Sequence, residues 1–336
     1  MRHVGIGRLL ASAGCVAAML AAGLAMAQTP PGARPTNLAG VTTSAAPPSG
    51  FDAVNASDTD LATYGFPPRP KPGDALGLAT WAAALGANPT RLMPRLQKTE
   101  VYHGASLGLR LKNTGDATSE NWSGYAADNG NATWIGSSYA TVAGDIIVPA
   151  AAARSCNATW DYSSVWVGID GYASSDVLQA GLEADAICSN GSTTTYYSPW
   201  YEWYPSASVR ITNLAATPGQ SFYVHVWATS ATAGNAYLQN LSTSQAVSLT
   251  FNAPGGTKLR GESAEWILEA PTVGVSEATL PNYGLAFMAN ASAATKNGAN
   301  SKPSGAAAIA VTMSVNSVIY SSVGPLGPAG ILFTSE

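Results

Sequence analysis

Everything after residue 119 reads as an all-β domain of antiparallel strands, and three observations support this. Short runs rich in β-branched and aromatic residues recur at 139–149, 163–169, 194–204, 221–229, 246–252, 264–268 and 308–319. Gly, Asn, Pro and Ser clusters separate them, which is how turns punctuate an antiparallel sandwich or barrel. Several runs alternate with a period of two, as in Ser221-Phe222-Tyr223-Val224-His225-Val226-Trp227, the spacing of a sheet with two unlike faces. The 120–336 stretch, roughly 220 residues, is a normal size for one such domain and can bury a large core.

The segments before it differ. Arg2, His3 and Arg8 precede an uncharged apolar run over residues 9–24, and Ala25-Met26-Ala27 follows with the small-x-small pattern of a signal-peptidase site. The run is short for a membrane span, so residues 1–27 are expected to be a secretory signal, leaving no membrane anchor once it is cut. Residues 28–119 read as a propeptide. Its first part, to about Phe66, is rich in Pro, Ala, Thr and Gly without periodicity and is expected to be flexible. From Asp74 an apolar stretch forms one candidate helix with Asp74 as its N-cap.

Charge follows the same division. Residues 28–119 hold eight Lys and Arg against six Asp and Glu, whereas residues 120–336 hold six against fourteen. A basic segment complements an acidic cleft, and so acidic a domain lacks the basic face that nucleic acid requires. Cys15 lies in the signal. Cys156 and Cys188 remain, an even number in an oxidising compartment, and are expected to form one disulfide. Only His103 and His225 survive signal removal, and neither stands at ligand spacing from a cysteine, so no metal or other cofactor is expected.

The usual nucleophiles have little support. Gly104-Ala105-Ser106-Leu107-Gly108 matches G-x-S-x-G but follows no strand and lies in the propeptide. His225 sits mid-strand between Val224 and Val226, which suits a satisfied strand histidine better than a triad member. Carboxylates and amides are left, in four clusters: Val165-Trp166-Val167-Gly168-Ile169-Asp170-Gly171, Val177-Leu178-Gln179-Ala180-Gly181, Trp200-Tyr201-Glu202-Trp203-Tyr204-Pro205 and Ala264-Glu265-Trp266-Ile267-Leu268-Glu269. Strand alternation puts Glu265, Ile267 and Glu269 on one face and Trp266 and Leu268 on the other; Trp200, Glu202 and Tyr204 likewise share a face. A concave sheet face lined with Trp, Tyr and carboxylates is a binding groove.

With Asn121-Trp122-Ser123-Gly124-Tyr125 before them, these clusters resemble the eqolisins, the glutamic peptidase family, in order and spacing from about Glu120 to the C-terminus. The resemblance implies a two-sheet, concanavalin A-like antiparallel sandwich. It also implies a catalytic dyad of Gln179 and Glu265, with Trp166, Asp170, Glu202 and Trp203 lining or supporting the site. The cysteine positions differ from the family's, and Glu183 stands where Asp is frequent. The implied protein is a secreted, monomeric, acid-active endopeptidase of protein or peptide substrates, inhibited by its own propeptide and processed in acid near residues 114–120. Glu265 would activate water and Gln179 would stabilise the oxyanion. A sandwich glycoside hydrolase using Glu202 and Glu265, or a carbohydrate-binding module, is the alternative, although neither gives Gln179 a role.

Overall fold

The computed structural model describes Met1 and residues 32–113, 115–130 and 133–336. The signal peptide expected over 1–27 lies outside the described residues apart from Met1. Two antiparallel sheets pack face to face. In the first, strands run in the order Ala308–Val315, Trp122–Asp128, Ser263–Glu269, Ser164–Ile169, Val177–Ser189, Ser192–Tyr204, Val209–Ile211 and Leu96–Lys98. In the second the order is Gly330–Ser335, Leu285–Thr295, Tyr139–Ile147, Ser221–Ser230, Ala233–Asn240, Gln245–Asn252 and Val41–Ser44. Val318–Leu326 bonds to the edge strand of each and joins the two sheets on that side.

Alternation decides what goes between the sheets. Val165, Val167, Ile169, Leu178, Ala180, Leu182, Ala264, Trp266 and Leu268 from the first share one core with Ile146, Phe222, Val224, Val226, Leu238, Val247 and Leu249 from the second. Each Val, Leu, Ile or Phe among them contributes roughly 1.5–3 kcal/mol when fully buried. Turn chemistry sets the register of the long hairpin over 177–204: Asn190 and Gly191 both take positive φ, 52° and 76°, as a two-residue type I′ turn requires. Asn316 and Ser317 (φ 50° and 67°) do the same, so the 308–319 run expected as one strand is a strand, a turn and the start of the next. Cys156 and Cys188 are bonded, as expected.

The segment before residue 120 is built into this frame. The helix expected from Asp74 is α2, Ala75–Gly86, and the Asp74 side chain accepts from the Gly77 backbone N–H at 3.0 Å. Its Trp81 and Leu85, together with Leu61 of α1 (Asp58–Thr63), pack on Tyr223, Trp227 and Tyr237, which the second sheet turns away from the core. The expectation of a flexible stretch to Phe66 is corrected within the described residues: Ala33–Pro35 and Val41–Ser44 form a hairpin whose second strand pairs with Gln245–Asn252. The free edge of that strand supplies backbone partners that composition alone does not reveal. His225 is buried on the same outer face, with its ring nitrogens bonded to Thr141 Oγ1 and, at 2.7 Å, to the Tyr223 hydroxyl. It is a satisfied strand histidine, and its burial lowers its pKa to about 3.

Candidate active site

The site is organised around Gly168. In the register of the first sheet Gly168 is opposite Glu265 on one side and Gln179 on the other, and Gln179 is in turn opposite Glu202. Residues directly opposite each other share a face. Glu265, Gly168, Gln179 and Glu202 therefore form one row across four strands, on the face away from the core. Gly168 puts no side chain between Glu265 and Gln179, so the row is open between these two long side chains. The floor between them is the indole of Trp166: a Cβ at position 168 would lie 2.8 Å from Trp166 Cζ3 and 3.3 Å from Gln179 Cβ.

Two residues along each strand lies the supporting layer. Trp166 Nε1–H donates to Glu269 Oε2 at 2.8 Å, and its ring meets Trp122 edge-on at 5.0 Å. Asn121 Nδ2 donates to Glu269 Oε1 at 3.3 Å. Asp170 has φ +70° just past the Gly168 strand and accepts from three backbone N–H groups, Arg260 (2.6 Å), Gly261 (3.0 Å) and Glu262 (2.7 Å). It thereby pins the loop that feeds the Glu265 strand. Asp170 therefore touches the loop ahead of Glu265 and not the Glu265–Gln179 row itself.

Of the two roles expected for Trp203, lining or supporting, the geometry fits the supporting one: it is opposite Leu178 and lies in the core between the sheets, 6.3 Å from Phe251. The alternation that brings Glu202 up to the row sends Trp203 down, so Trp203 supports the sheet from beneath and cannot touch a substrate. Trp200, two residues before Glu202, is the tryptophan on the open side.

Gln179, Asp170, Glu265 and Glu269 are 0% exposed and Glu202 is 1%, and the chain's own 103–107 stretch bonds to Gln179, Glu202 and Glu269. The His103 ring stacks on Trp200 with 3.6 Å between ring centroids. Its backbone N–H donates to both Glu202 oxygens (3.1 and 3.0 Å), and Nδ1 shares a 2.9 Å hydrogen bond with Glu202 Oε2. Gln179 Nε2–H donates to the His103 carbonyl, and the Gly104 N–H donates to Glu269 Oε1 at 3.1 Å. Further on, the Leu107 N–H donates to Asn121 Oδ1 at 2.8 Å and the Ser106 N–H to the Gly171 carbonyl at 3.0 Å. The G-x-S-x-G match is thus part of this covering strap, and Ser106 Oγ donates to Ser119 Oγ at 2.9 Å.

Burial dominates the electrostatics. It raises Glu265 well above the carboxylate range, with the Ser263 hydroxyl opposing and the charge of Asp170 adding to the shift. Burial also raises Glu202, against the His103 N–H, and Glu269, against Trp166 and Trp122. Burial holds His103 well below its ordinary value, and the Arg210 charge lowers it further. Both shifts run toward the uncharged forms of His103 and Glu202. Among the described residues, neither oxygen of Glu265 has a hydrogen-bond partner of ordinary geometry, and the same holds for Gln179 Oε1 and His103 Nε2. A carboxylate pair of acceptors beside an amide that already holds a peptide carbonyl is the equipment for adding water to that carbonyl.

Residues 120–327, well over half of the chain, match the Peptidase A4 family. The chain belongs to the Peptidase A4 family. Aspergillopepsin-2 of Aspergillus niger is 33% identical to the peptidase over 210 residues, which are 57% of this chain and 70% of that protein. Scytalidopepsin B of Scytalidium lignicola is 37% identical over 162 residues, 48% of this chain and 56% of that protein. The solved structure of scytalido-glutamic peptidase with a transition state analog inhibitor matches at a TM-score of 0.54 and 25% identity, covering 65% of this chain and 98% of that one. The peptidase is a glutamic peptidase, a hydrolase of peptide bonds on an antiparallel two-sheet fold. The family excludes the carbohydrate-active alternative.

Sequence reasoning paired Gln179 with Glu265 and included Trp166, Asp170 and Glu202, and the fold brings all five to one face or its rim. It placed Trp200 and Glu269 on the groove faces without giving them a role, and it left out Gly168 and His103 as site components. Glu269 was readable from its shared face with Glu265. The placement of His103 depends on a pairing between distant segments that has no local signal.

Proposed function

We propose that the peptidase is made as a secreted, latent monomer and hydrolyses proteins in acid, with Glu265 as general base and Gln179 as oxyanion donor. Residues 1–27 serve as the signal, 28–119 as an inhibitory propeptide and 120–336 as the catalytic domain. The observation that carries this reading is that Gln179 Nε2–H is already bonded to a main-chain carbonyl, one strand from Gly168, with Glu265 directly across. A substrate carbonyl on that donor has its carbon beside the Glu265 carboxylate. Glu265 takes a proton from water as the hydroxide adds to the carbonyl carbon. The amide of Gln179 holds the resulting oxyanion, a role for which one lost donor typically costs about 10²–10³ in rate. Glu265 then returns the proton to the leaving nitrogen as the C–N bond breaks.

An uncharged amide keeps its role at low pH. Glu202 and Glu269, neutral in acid, bond to the substrate backbone without repelling the ionised base. When the strap leaves, water reaches the cleft and the pKa of Glu265 falls back toward the acidic range. An acid protein-degradation assay with an inhibitor of aspartic peptidases tests the reading. Activity is expected to resist the inhibitor and to fall by about 100-fold or more in Gln179→Ala; full activity in that variant, folded, rules the dyad out.

A further inference from the structure

The strap over the cleft does more than block it. A covering segment can lie across a site in any register, yet here one peptide group is held at every polar atom by groups of the site. The His103 carbonyl accepts from Gln179, the His103 N–H donates to Glu202, and the Gly104 N–H donates to Glu269 at 3.1 Å. The side chain before the bond is fixed as well, with the His103 ring flat on Trp200 and tied to Glu202. After the bond a small residue is seated, and Gly104 lies against Tyr204, whose Cε2 would be 3.5 Å from an added Cβ. The two acceptors of Glu265 remain without a protein partner on the other side of Gly168.

We propose that the His103–Gly104 bond is the intramolecular processing site of the precursor, bound as a substrate and cut by the chain's own Glu265 and Gln179. The proposal rests on the dyad reading above, and it places the first cut upstream of the 114–120 stretch where the composition changes. Once water enters beneath the loosened strap and lets Glu265 ionise, a water molecule loses a proton to Glu265 and adds to the His103 carbonyl carbon, with the carbonyl oxygen on Gln179. The carbon–nitrogen bond then breaks, the proton passes from Glu265 to the Gly104 nitrogen, and a His103 carboxylate and a Gly104 amine remain.

Several contacts of the strap fail on this cut. The His103 carbonyl on Gln179 becomes a carboxylate, and the link between residues 32–103 and the strap's remainder is gone. Residues 104–107 keep their bonds to Asn121 and Gly171 until a later cut removes them. The exposed 110–113 stretch is accessible to a second molecule for that step.

The experiment follows the full-length precursor after transfer to acid, by intact mass and N-terminal sequencing over time and over a 100-fold dilution series. The expected first products are a fragment ending at His103 and a chain beginning at Gly104, formed at a rate independent of dilution. In Glu265→Gln the cut is expected to be at least about 100-fold slower. Gly104→Pro, which lacks the N–H that Glu269 accepts, is expected to lose the fragment ending at His103. An inert Glu265→Gln precursor beside a wild type whose first new terminus lies elsewhere, whose rate scales with concentration, or which stays intact, overturns the proposal and leaves the dyad standing. Equal processing of Glu265→Gln and wild type overturns the dyad itself.

Discussion

Placing the smallest possible side chain between Gln179 and Glu265 is the sharpest perturbation the geometry allows. In Gly168→Ala the new Cβ meets Trp166 Cζ3 at 2.8 Å, Cε3 at 3.2 Å and Gln179 Cβ at 3.3 Å. Carbon atoms rest at about 3.5–4.0 Å, so the indole must retreat by roughly 0.7 Å or more. It has little freedom, because its N–H is held by Glu269 at 2.8 Å and its ring lies against Trp122. Part of the strain therefore passes to Gln179. The φ of Gly168 is not in the positive region, so the methyl adds no backbone strain and the effect is one of packing. Overpacking of this kind costs about 1–3 kcal/mol of stability. A displacement near 1 Å at a reacting centre costs on the order of 100-fold in rate. The assay is kcat and KM on a quenched peptide in acid, with a melting curve alongside. The expected result is a folded protein whose kcat falls by about 100-fold while KM changes little, since the donor acts mainly on the developing oxyanion. A wild-type kcat with an unchanged melting temperature refutes the argument that the two side chains converge over a tight floor.

Other perturbations have definite signs. Burial raises Asp170 to about 7 and Asp145 and Asp176 to about 6. These folded values exceed the unfolded value of about 3.9, so their stabilising share is present below pH ~4 and disappears as pH rises through 6–7, roughly 4 kcal/mol for Asp170 alone. His225, lowered to about 3, opposes this, since its share is present above about 6.5 and is lost as pH falls toward 3. Calorimetry is expected to show the highest melting temperature in mild acid; a maximum at pH 8 contradicts the burial argument. Asp170→Ala strands three N–H donors, and at about 1–3 kcal/mol for each one buried the expected loss is at least 3 kcal/mol in denaturant unfolding. Cys188→Ser opens a loop with a sequence separation of 32 and is expected to cost about 4 kcal/mol by the same measurement.

Much of the site was legible because a strand's two faces can be read by counting. Glu265, Ile267 and Glu269 on one face, and Trp200, Glu202 and Tyr204 on another, are arranged as their spacing demands. The same counting turns Trp203 into the core, where it fits the supporting role and not a place in the groove. Which strands are neighbours has no local code, so the position of Gly168 between Gln179 and Glu265 emerged only from the sheet order. The strap was hidden for a different reason. Residues 103–107 have no periodicity, and their hydrogen bonds go to side chains of Glu202, Glu269, Gln179 and Asn121 rather than to a strand ladder. The apparent disorder of residues 32–66 has the same origin, as the hairpin there borrows an edge of the catalytic domain.

The central claim is that one carboxylate, Glu265, supplies the base for peptide hydrolysis. Kinetics of processed Glu265→Gln, prepared by cutting the strap with an added peptidase, test it most directly. The account expects a fold at least as stable at neutral pH, because a buried ionisable group is gone, with kcat/KM in acid reduced by about 100-fold or more. Acid activity within a few-fold of wild type in that protein contradicts it.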